Sequence, residues 1–370
     1  MPKKAARSPN SKIIKGRAFG SPLARGFYAR ASTAEVDPRA KPGAPAAVEW
    51  LLEENNPSVR YFTLRDLLDR SERSIEVQNA KKEIMTKGIV PKILSSQNAE
   101  GTWAEKDKFY RAKYKGTVWQ IIILANLGAD GNDPRIKTAC EFLFHHSQDK
   151  ESGGFSYDYS ITADGGSHSG VVPCLTGNMV WSLIRLGYLA DERLRRAVHC
   201  IAAFQRYDDG ERANLTGWPY DRFKMCYGKH TCHMGAGKAL KALAEIPSAE
   251  RSPEVRRTID QGVEYFLKHH IYKKSRNLTK VSKPGWLNFG FPLMYQDDVL
   301  EMLEILAKLK VKDKRLESAI ELVESKKSKE GKWILENTFN GRFFVNIEQK
   351  GKPSKWITLK AMQVLKFYRR

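Results

Sequence analysis

Four side chains that bind soft metals fall at related points of this sequence. Cys174 and Cys232 are 58 residues apart, His233 follows Cys232 directly, and Cys226 stands six positions before it. Thiolates and an imidazole within reach of one centre suit four-coordinate Zn²⁺. A thiol at a helix N-terminus is also acidified, which favours the metal-binding thiolate. Cys174, Cys226, Cys232 and His233 are therefore the candidate zinc ligands, with His230 close by. The competing reading makes Cys174 and Cys232 small buried core residues. A second candidate is the pair Asp297-Asp298, followed by Glu301. Paired carboxyls in an apolar cavity have their proton affinities driven apart, so one of them can serve as an acid. Asp297 can equally complete a metal shell, and both residues are good helix caps.

The elements that must position these groups repeat about every sixty residues. Gly101-Thr102-Trp103, Gly153-Gly154-Phe155, Gly217-Trp218, Gly285-Trp286 and Gly331-Lys332-Trp333 are glycine–aromatic corners, and Gln97, Gln148 and Gln205 precede the first three. Self-similarity at this period marks stacked helical hairpins. Strongly apolar segments begin near residues 58, 116, 174, 232, 293 and 354. Amphipathic ones begin near 46, 76, 134, 192, 253 and 314, the second running to Gln97. Helices apolar on every side are buried ones. Six of these surrounded by six amphipathic helices describe an all-α protein built as a closed two-layer barrel, an α6/α6 toroid. The spacing of Cys174 and Cys232 equals the local period, which predicts equivalent places on adjacent inner helices. Asp297-Asp298 falls at the start of the fifth. The inner-helix N-termini would then converge on one mouth, each carrying free N–H groups and positive dipole character. Lys115 and Lys355 stand beside two of these starts and suit a diphosphate. His168, in a glycine-rich loop, would lie at the same mouth. The corner aromatics read as structural.

The Gln…Gly-x-Trp corner resembles the repeat of squalene and oxidosqualene cyclases and of protein prenyltransferase β subunits, and it runs through residues 46–370. The resemblance implies the α6/α6 toroid and an isoprenoid or other apolar ligand in its central cavity. Protein prenyltransferases hold one zinc with a Cys, an Asp and a His. Lanthionine cyclases use a Cys and a Cys-His pair, and Cys232-His233-Met234-Gly235 looks like their Cys-His-Gly with Met inserted. Squalene-type cyclases protonate an alkene with an Asp-x-Asp-Asp acid, whereas Tyr295-Gln296-Asp297-Asp298 lacks the first Asp. The expected activity is a zinc-dependent transferase or cyclase. The alternatives are a lipid- or peptide-binding scaffold with a structural metal, and a class II terpene cyclase with Asp297 or Asp298 as acid.

Bulk properties narrow the partners. The 370 residues carry a net charge of +21. Residues 1–45 hold ten Lys/Arg against Glu35 and Asp37, which reads as a disordered basic tail. A basic surface without interleaved exposed aromatics or a known module gives no expectation of nucleic-acid binding. It does suit peripheral attraction to anionic membranes. No apolar run is long enough for a transmembrane helix. Five cysteines, an odd number without a secreted-scaffold spacing, fit a reducing cytoplasm.

Overall fold

In the computed structural model the chain divides into residues 1–43 and 44–370. The structure describes residues 46–211, 215–228, 231–339 and 341–369, all in the second unit. The basic tail and His230 lie outside the described residues.

The unit is all-α. In chain order the helices are α1 (Ala46–Leu51), α2 (Pro57–Phe62), α3 (Ile75–Thr86), α4 (Val90–Leu94), α5 (Thr117–Leu127), α6 (Pro134–His146) and α7 (Pro173–Arg185). They continue with α8 (Glu192–Phe204), α9 (Lys224–Tyr227), α10 (His233–Glu245), α11 (Pro253–Lys268), α12 (Val299–Lys308), α13 (Glu317–Ser325) and α14 (Lys355–Tyr368). Three short antiparallel ladders decorate the loops among the described residues. No helix there is long and apolar enough to cross a membrane.

The expected alternation is present. Helices α2, α5, α7, α10, α12 and α14 form one set, and nearly every residue of α5 is buried. Each packs against a less buried partner, as in α2 with α3, α5 with α6, α7 with α8, α10 with α11, α12 with α13 and α14 with α1. Within the inner set α5 meets α7, α7 meets α10, α10 meets α12, α12 meets α14, and α14 meets α2. The α7–α10 seam is the tightest. A Cβ on Gly177 would sit 2.5 Å from the backbone carbon of Lys238, so only glycine permits this approach.

Two boundaries differ from the sequence reading. The helix expected over residues 76–97 is broken into α3 and α4, because Gly88 takes a left-handed φ of 76° and Pro91 has no N–H to donate. The fifth inner helix begins at Val299 and not near 293, because Asp298 caps it. Tyr295, Gln296 and Asp297 therefore lie in the segment leading into the helix.

The repeat corner has a common hydrogen-bond plan. Trp103 Nε1 donates to the carbonyl of Ile93 at 2.9 Å, and Trp333 Nε1 donates to that of Val323 at 2.7 Å, in each case ten residues earlier. The backbone N–H groups of Trp103, Phe155 and Trp333 donate to the hydroxyls of Thr117, Thr176 and Thr358 on the next inner helix, at 3.2, 3.0 and 3.0 Å. The Gln97 amide donates to the carbonyls of Gly101 and Arg135 at 2.7 and 2.9 Å. Gln148 repeats this with Gly153 and Arg193 at 2.9 and 2.7 Å. Glycine is required at Gly101, where φ is +77°. The Gly101 and Gly153 corners thus each tie one outer helix to the following inner helix and to the first turn of the next outer helix.

Trp218 departs from the plan. It is half-buried, its ring stacks on His168 at 4.2 Å, and its Nε1 donates to the His168 carbonyl at 3.0 Å. We expect Trp103→Ala and Trp333→Ala each to lower the free energy of unfolding by about 3–5 kcal/mol. Urea melts should show a clearly smaller loss for Trp218→Ala.

Candidate functional site

The inner helices bring the sequence candidates to one end, as their period requires. Cys174 is in the first turn of α7, Cys232 is the N-cap residue of α10, and His233 is the first residue of α10. Cys226 lies in α9, and its thiol donates a hydrogen bond to the Cys232 sulfur. That bond is the first cause that lowers the Cys232 thiol to about 6. Burial opposes it, and the N–H groups of Gly235 and Met234 at the helix start add to it. The same bond, with burial, pushes Cys226 well above the usual thiol range. Burial pushes Cys174 up to about 12, with the charges of Cys232 and Asp297 adding to the effect.

His233 is positioned differently. Its ring packs against Trp286 at 5.2 Å. Burial, then Lys283 and His269, lower it to about 4. Among the described residues no three His, Cys, Asp or Glu side chains are arranged to hold a metal ion. Of the expected zinc ligands, Cys226 and Cys232 are in contact and Cys174 lies nearby, while His233 packs against Trp286. The positive end of α14 is filled from within, since Glu348 accepts from the N–H of Lys355 at 2.7 Å and from the Ser354 hydroxyl. The Lys355 ammonium itself donates to Glu53 and Asn55. His168 is likewise engaged, with Nδ1 2.7 Å from Asp149 Oδ2.

The two aspartates have separate roles. Asp298 accepts the N–H of Glu301 and of Gly290, each at 2.8 Å, and is the cap of α12. Burial nevertheless raises its carboxyl to about 7. Asp297 enters a buried charge cluster. Lys238 Nζ lies 3.0 Å from Asp297 Oδ1 and 2.5 Å from Glu301 Oε2, while Lys241 Nζ lies 2.8 Å from Glu301 Oε1. Asp297 sits directly on the α10 backbone, where a Cβ on Gly237 would come within 2.6 Å of its carboxylate.

The cluster sorts its protons by geometry. Burial disfavours charge on Glu301, but Lys238 and Lys241 outweigh it and hold this carboxyl below its usual range. Burial likewise opposes charge on Lys238, and Asp297 and Glu301 outweigh it. Asp297, with one cation beside it, is raised well above the carboxylate range by burial. Lys241 is lowered to about 8 by burial. Glu301 opposes this, and the neighbouring charges of Lys238 and Lys360 add to it. The cluster thus favours charge on Lys238 and Glu301, while burial disfavours it on Asp297 and Lys241.

A cavity of about 330 Å³ opens beside this cluster, at the low end of the volumes typical of small-molecule sites. All six inner helices or their extensions line it. Phe62, Trp181, Phe291 and Trp356 supply aromatic walls, and Arg65, Arg185, Lys241, Lys308 and Lys360 supply five cations against Asp66, Glu245, Glu301 and Glu304. Arg185 lies over the rings of Trp181 and Phe62 at 5.3 and 5.4 Å, and Lys241 Nζ is 3.8 Å from the Trp181 centroid. Among the described residues, Cys174, Cys226, Cys232, His233, Asp297 and Asp298 do not line this cavity. It is reached by the C-terminal parts of α5, α7 and α10, away from the cysteines on those helices, and by the first turns of α12 and α14 through Glu301 and Trp356. Cys174 and Arg185 are eleven residues apart on α7, about 16 Å of helix rise. Sequence reasoning passed over Lys238, Lys241 and Arg185. The signal it had was charged residues on helices otherwise apolar enough to be inner ones.

The structure is similar to those of the type II terpene cyclase MstE from Scytonema. The apo form is 14% identical, the match covers 84% of this chain and 87% of that chain, and the TM-score is 0.40. A variant in complex with the product merosterolic acid A gives 15%, 84%, 86% and 0.41. Another variant, in complex with the substrate geranylgeranyl dihydroxybenzoate, gives 14%, 84%, 85% and 0.39. No family model and no curated protein matches the chain.

Two outcomes follow from the site's electrostatics. Cys232 should be alkylated by iodoacetamide at pH 7 about tenfold faster than an ordinary thiol, with Cys174 nearly inert. Cys226→Ala should slow Cys232 by removing its hydrogen-bond donor, as read by peptide mass spectrometry. Glu301→Gln leaves two buried ammonium groups short of an anion and should cost about 3–5 kcal/mol at pH 7. A carboxyl that titrates lower in the folded state binds fewer protons there, so its stabilisation is present above its ordinary value near 4.5. The gap between wild type and variant in urea melts should therefore close as pH falls below that value.

Proposed function

We propose that this chain is an α6/α6 toroid whose working site is the central cavity, and that it binds an amphiphilic small molecule there. The toroid reading is supported by the chain of inner-helix neighbours and by the contact that joins its ends. The Phe62 ring lies so close to the C-cap of α5 that a Cβ on Gly128 would come within 2.9 Å of it. The single observation that carries the function is that one cavity draws its walls from all six inner helices. The four aromatic walls suit an isoprenoid or other apolar portion. The five cations over four acids suit an anionic head group, on residues other than the Lys115 and Lys355 that the sequence pointed to.

The chemistry available on the wall is acid–base chemistry by Lys241 and Glu301. A transferase or cyclase reading requires a proton or cation to be handled there. Asp297, the carboxyl that burial keeps protonated, connects to the cavity through Lys238 and Glu301. A second reading is favoured by the pairing of cavity cations, since Lys308 lies 2.6 Å from Glu245 and Lys360 lies 2.6 Å from Glu304. In that reading the protein is a scaffold that holds its ligand unchanged.

Denaturation with geranyl diphosphate and geraniol tests the site. At a hundredfold excess over its Kd the diphosphate should stabilise the protein by about 2.7 kcal/mol. Geraniol should do much less, and Arg185→Ala should weaken diphosphate binding about tenfold, or about 1.4 kcal/mol. Equal stabilisation by the two compounds would remove the anionic part of the proposal, and no response to either would remove the cavity as the working site. Recovery of the compound unchanged after incubation would favour the scaffold.

A further inference from the structure

We infer that Lys241 is an imine-forming lysine, and that the cavity takes an amphiphile bearing an aldehyde or ketone as well as its anionic group. The inference rests on the cavity reading above and gives its ligand a reactive group. Three placements support it. The Lys241 ammonium is on the cavity wall, yet its side chain is 10% exposed. The face of Trp181, 3.8 Å from Nζ, excludes water from one side. Glu301 Oε1, at 2.8 Å, stands on the other side as proton acceptor. A buried amine beside a second, permanently charged amine is the arrangement that frees a lysine lone pair, and Lys238, one helical turn earlier, provides that second charge. Lys238 is itself held by Asp297 and Glu301, so it is not the one that loses its proton.

The groups facing Nζ are accounted for. Glu301 on α12 favours its charge, while Lys238 on its own helix and Lys360 on α14 oppose it. Glu245 on α10 is engaged by Lys308 at 2.6 Å and by Arg185 of α7 at 3.6 Å. Burial disfavours charge on Asp297 and on Lys241, and the Lys238–Glu301 ion pair stands between them.

The step is a condensation. The Lys241 lone pair forms the C–N bond while the carbonyl π pair moves to oxygen, which takes up the first proton that nitrogen releases, passed across by Glu301 Oε1. The second N–H proton passes by the same carboxylate to the carbinolamine hydroxyl, so Glu301 relays each proton and keeps its charge. The hydroxyl leaves as water as the C=N bond forms. One water is released, nothing is oxidised or reduced, and the imine is hydrolysed by the reverse path.

Pyridoxal 5′-phosphate, an aromatic aldehyde carrying a phosphate, is the probe, with sodium borohydride to fix the imine and peptide mass spectrometry to locate it. We expect labelling of Lys241 at pH 7.5 roughly a hundredfold faster than that of exposed lysines, from its larger neutral fraction. The rate should rise with a midpoint near pH 8. Lys241→Arg and Lys241→Met should lose this label, with thermal melts checking that they fold. If neither variant folds, the wild-type labelling pattern decides. Label spread over surface lysines with Lys241 unmodified overturns the inference. Pyridoxine 5′-phosphate, the alcohol, separates the two levels. If it protects the cavity while the aldehyde leaves Lys241 unlabelled, the cavity stands and the imine fails. If neither compound engages, both fail.

Discussion

The structure depends on a hydrogen bond between a backbone N–H and a threonine hydroxyl. In three of the repeats the aromatic residue of the corner donates its N–H to a threonine in the first turn of the following inner helix, Thr117, Thr176 or Thr358. These hydroxyls are buried, and leaving either partner unmatched costs about 1–3 kcal/mol. The bond fixes where each inner helix starts relative to the outer helix before it. The glutamine amide then sets the next outer helix by gripping its first-turn carbonyl, that of Arg135 or Arg193. Asp133, Asp191 and Asp313 cap the outer segments at the same phase, each accepting from the arginine N–H two residues on. A repeat built this way places inner helices in register, and any site built on them inherits that register.

Register has a consequence for charge. A helix in the inner layer has no solvent-facing side, so an ionic residue on it must either find a partner on a neighbouring inner helix or open onto the cavity. Lys238 takes the first course, and Arg185, Lys241, Glu301 and Lys360 do both. The penalty for burying them is offset only because the partners are close and several. The close approach of α10 to Asp297 depends on Gly237, and that of α7 to α10 on Gly177. Small residues on these helices thus serve the charge cluster as well as the packing.

The cysteines and the cavity carry different chemistry. The start of α10 holds the Cys226–Cys232 thiol pair. The helix start stabilises the Cys232 thiolate there, while burial raises the Cys174 thiol nearby. The aromatic and ionic cavity is walled by other residues, from Arg185 at the end of α7 to Glu301 and Trp356 in the first turns of α12 and α14. The dipole of α7 favours Arg185 in its last turn.

Much of the framework was legible in the sequence because its causes are local. Helix caps, corner glycines and the sixty-residue phase are read from residues within a few positions of one another, and the inner starts near 58, 116, 174, 232 and 354 lie within a residue or two of those observed. Reading failed where a single local feature was hidden, as at Gly88 and at the Asp298 cap. The convergence of Cys174 and Cys232 on one rim was legible for the same reason, and so was the capping alternative for Asp298. The sequence by itself thus determined the alternation of helices, the corners that join them and the residues that share a rim. Only the tertiary structure decided that the cavity is walled by residues other than the cysteines and Asp297-Asp298, that His233 packs against Trp286, and that Lys238 and Lys241 share Glu301 across 60 residues or more of chain. Which side chains from six helices point into one space depends on packing between distant segments, and no local pattern encodes it.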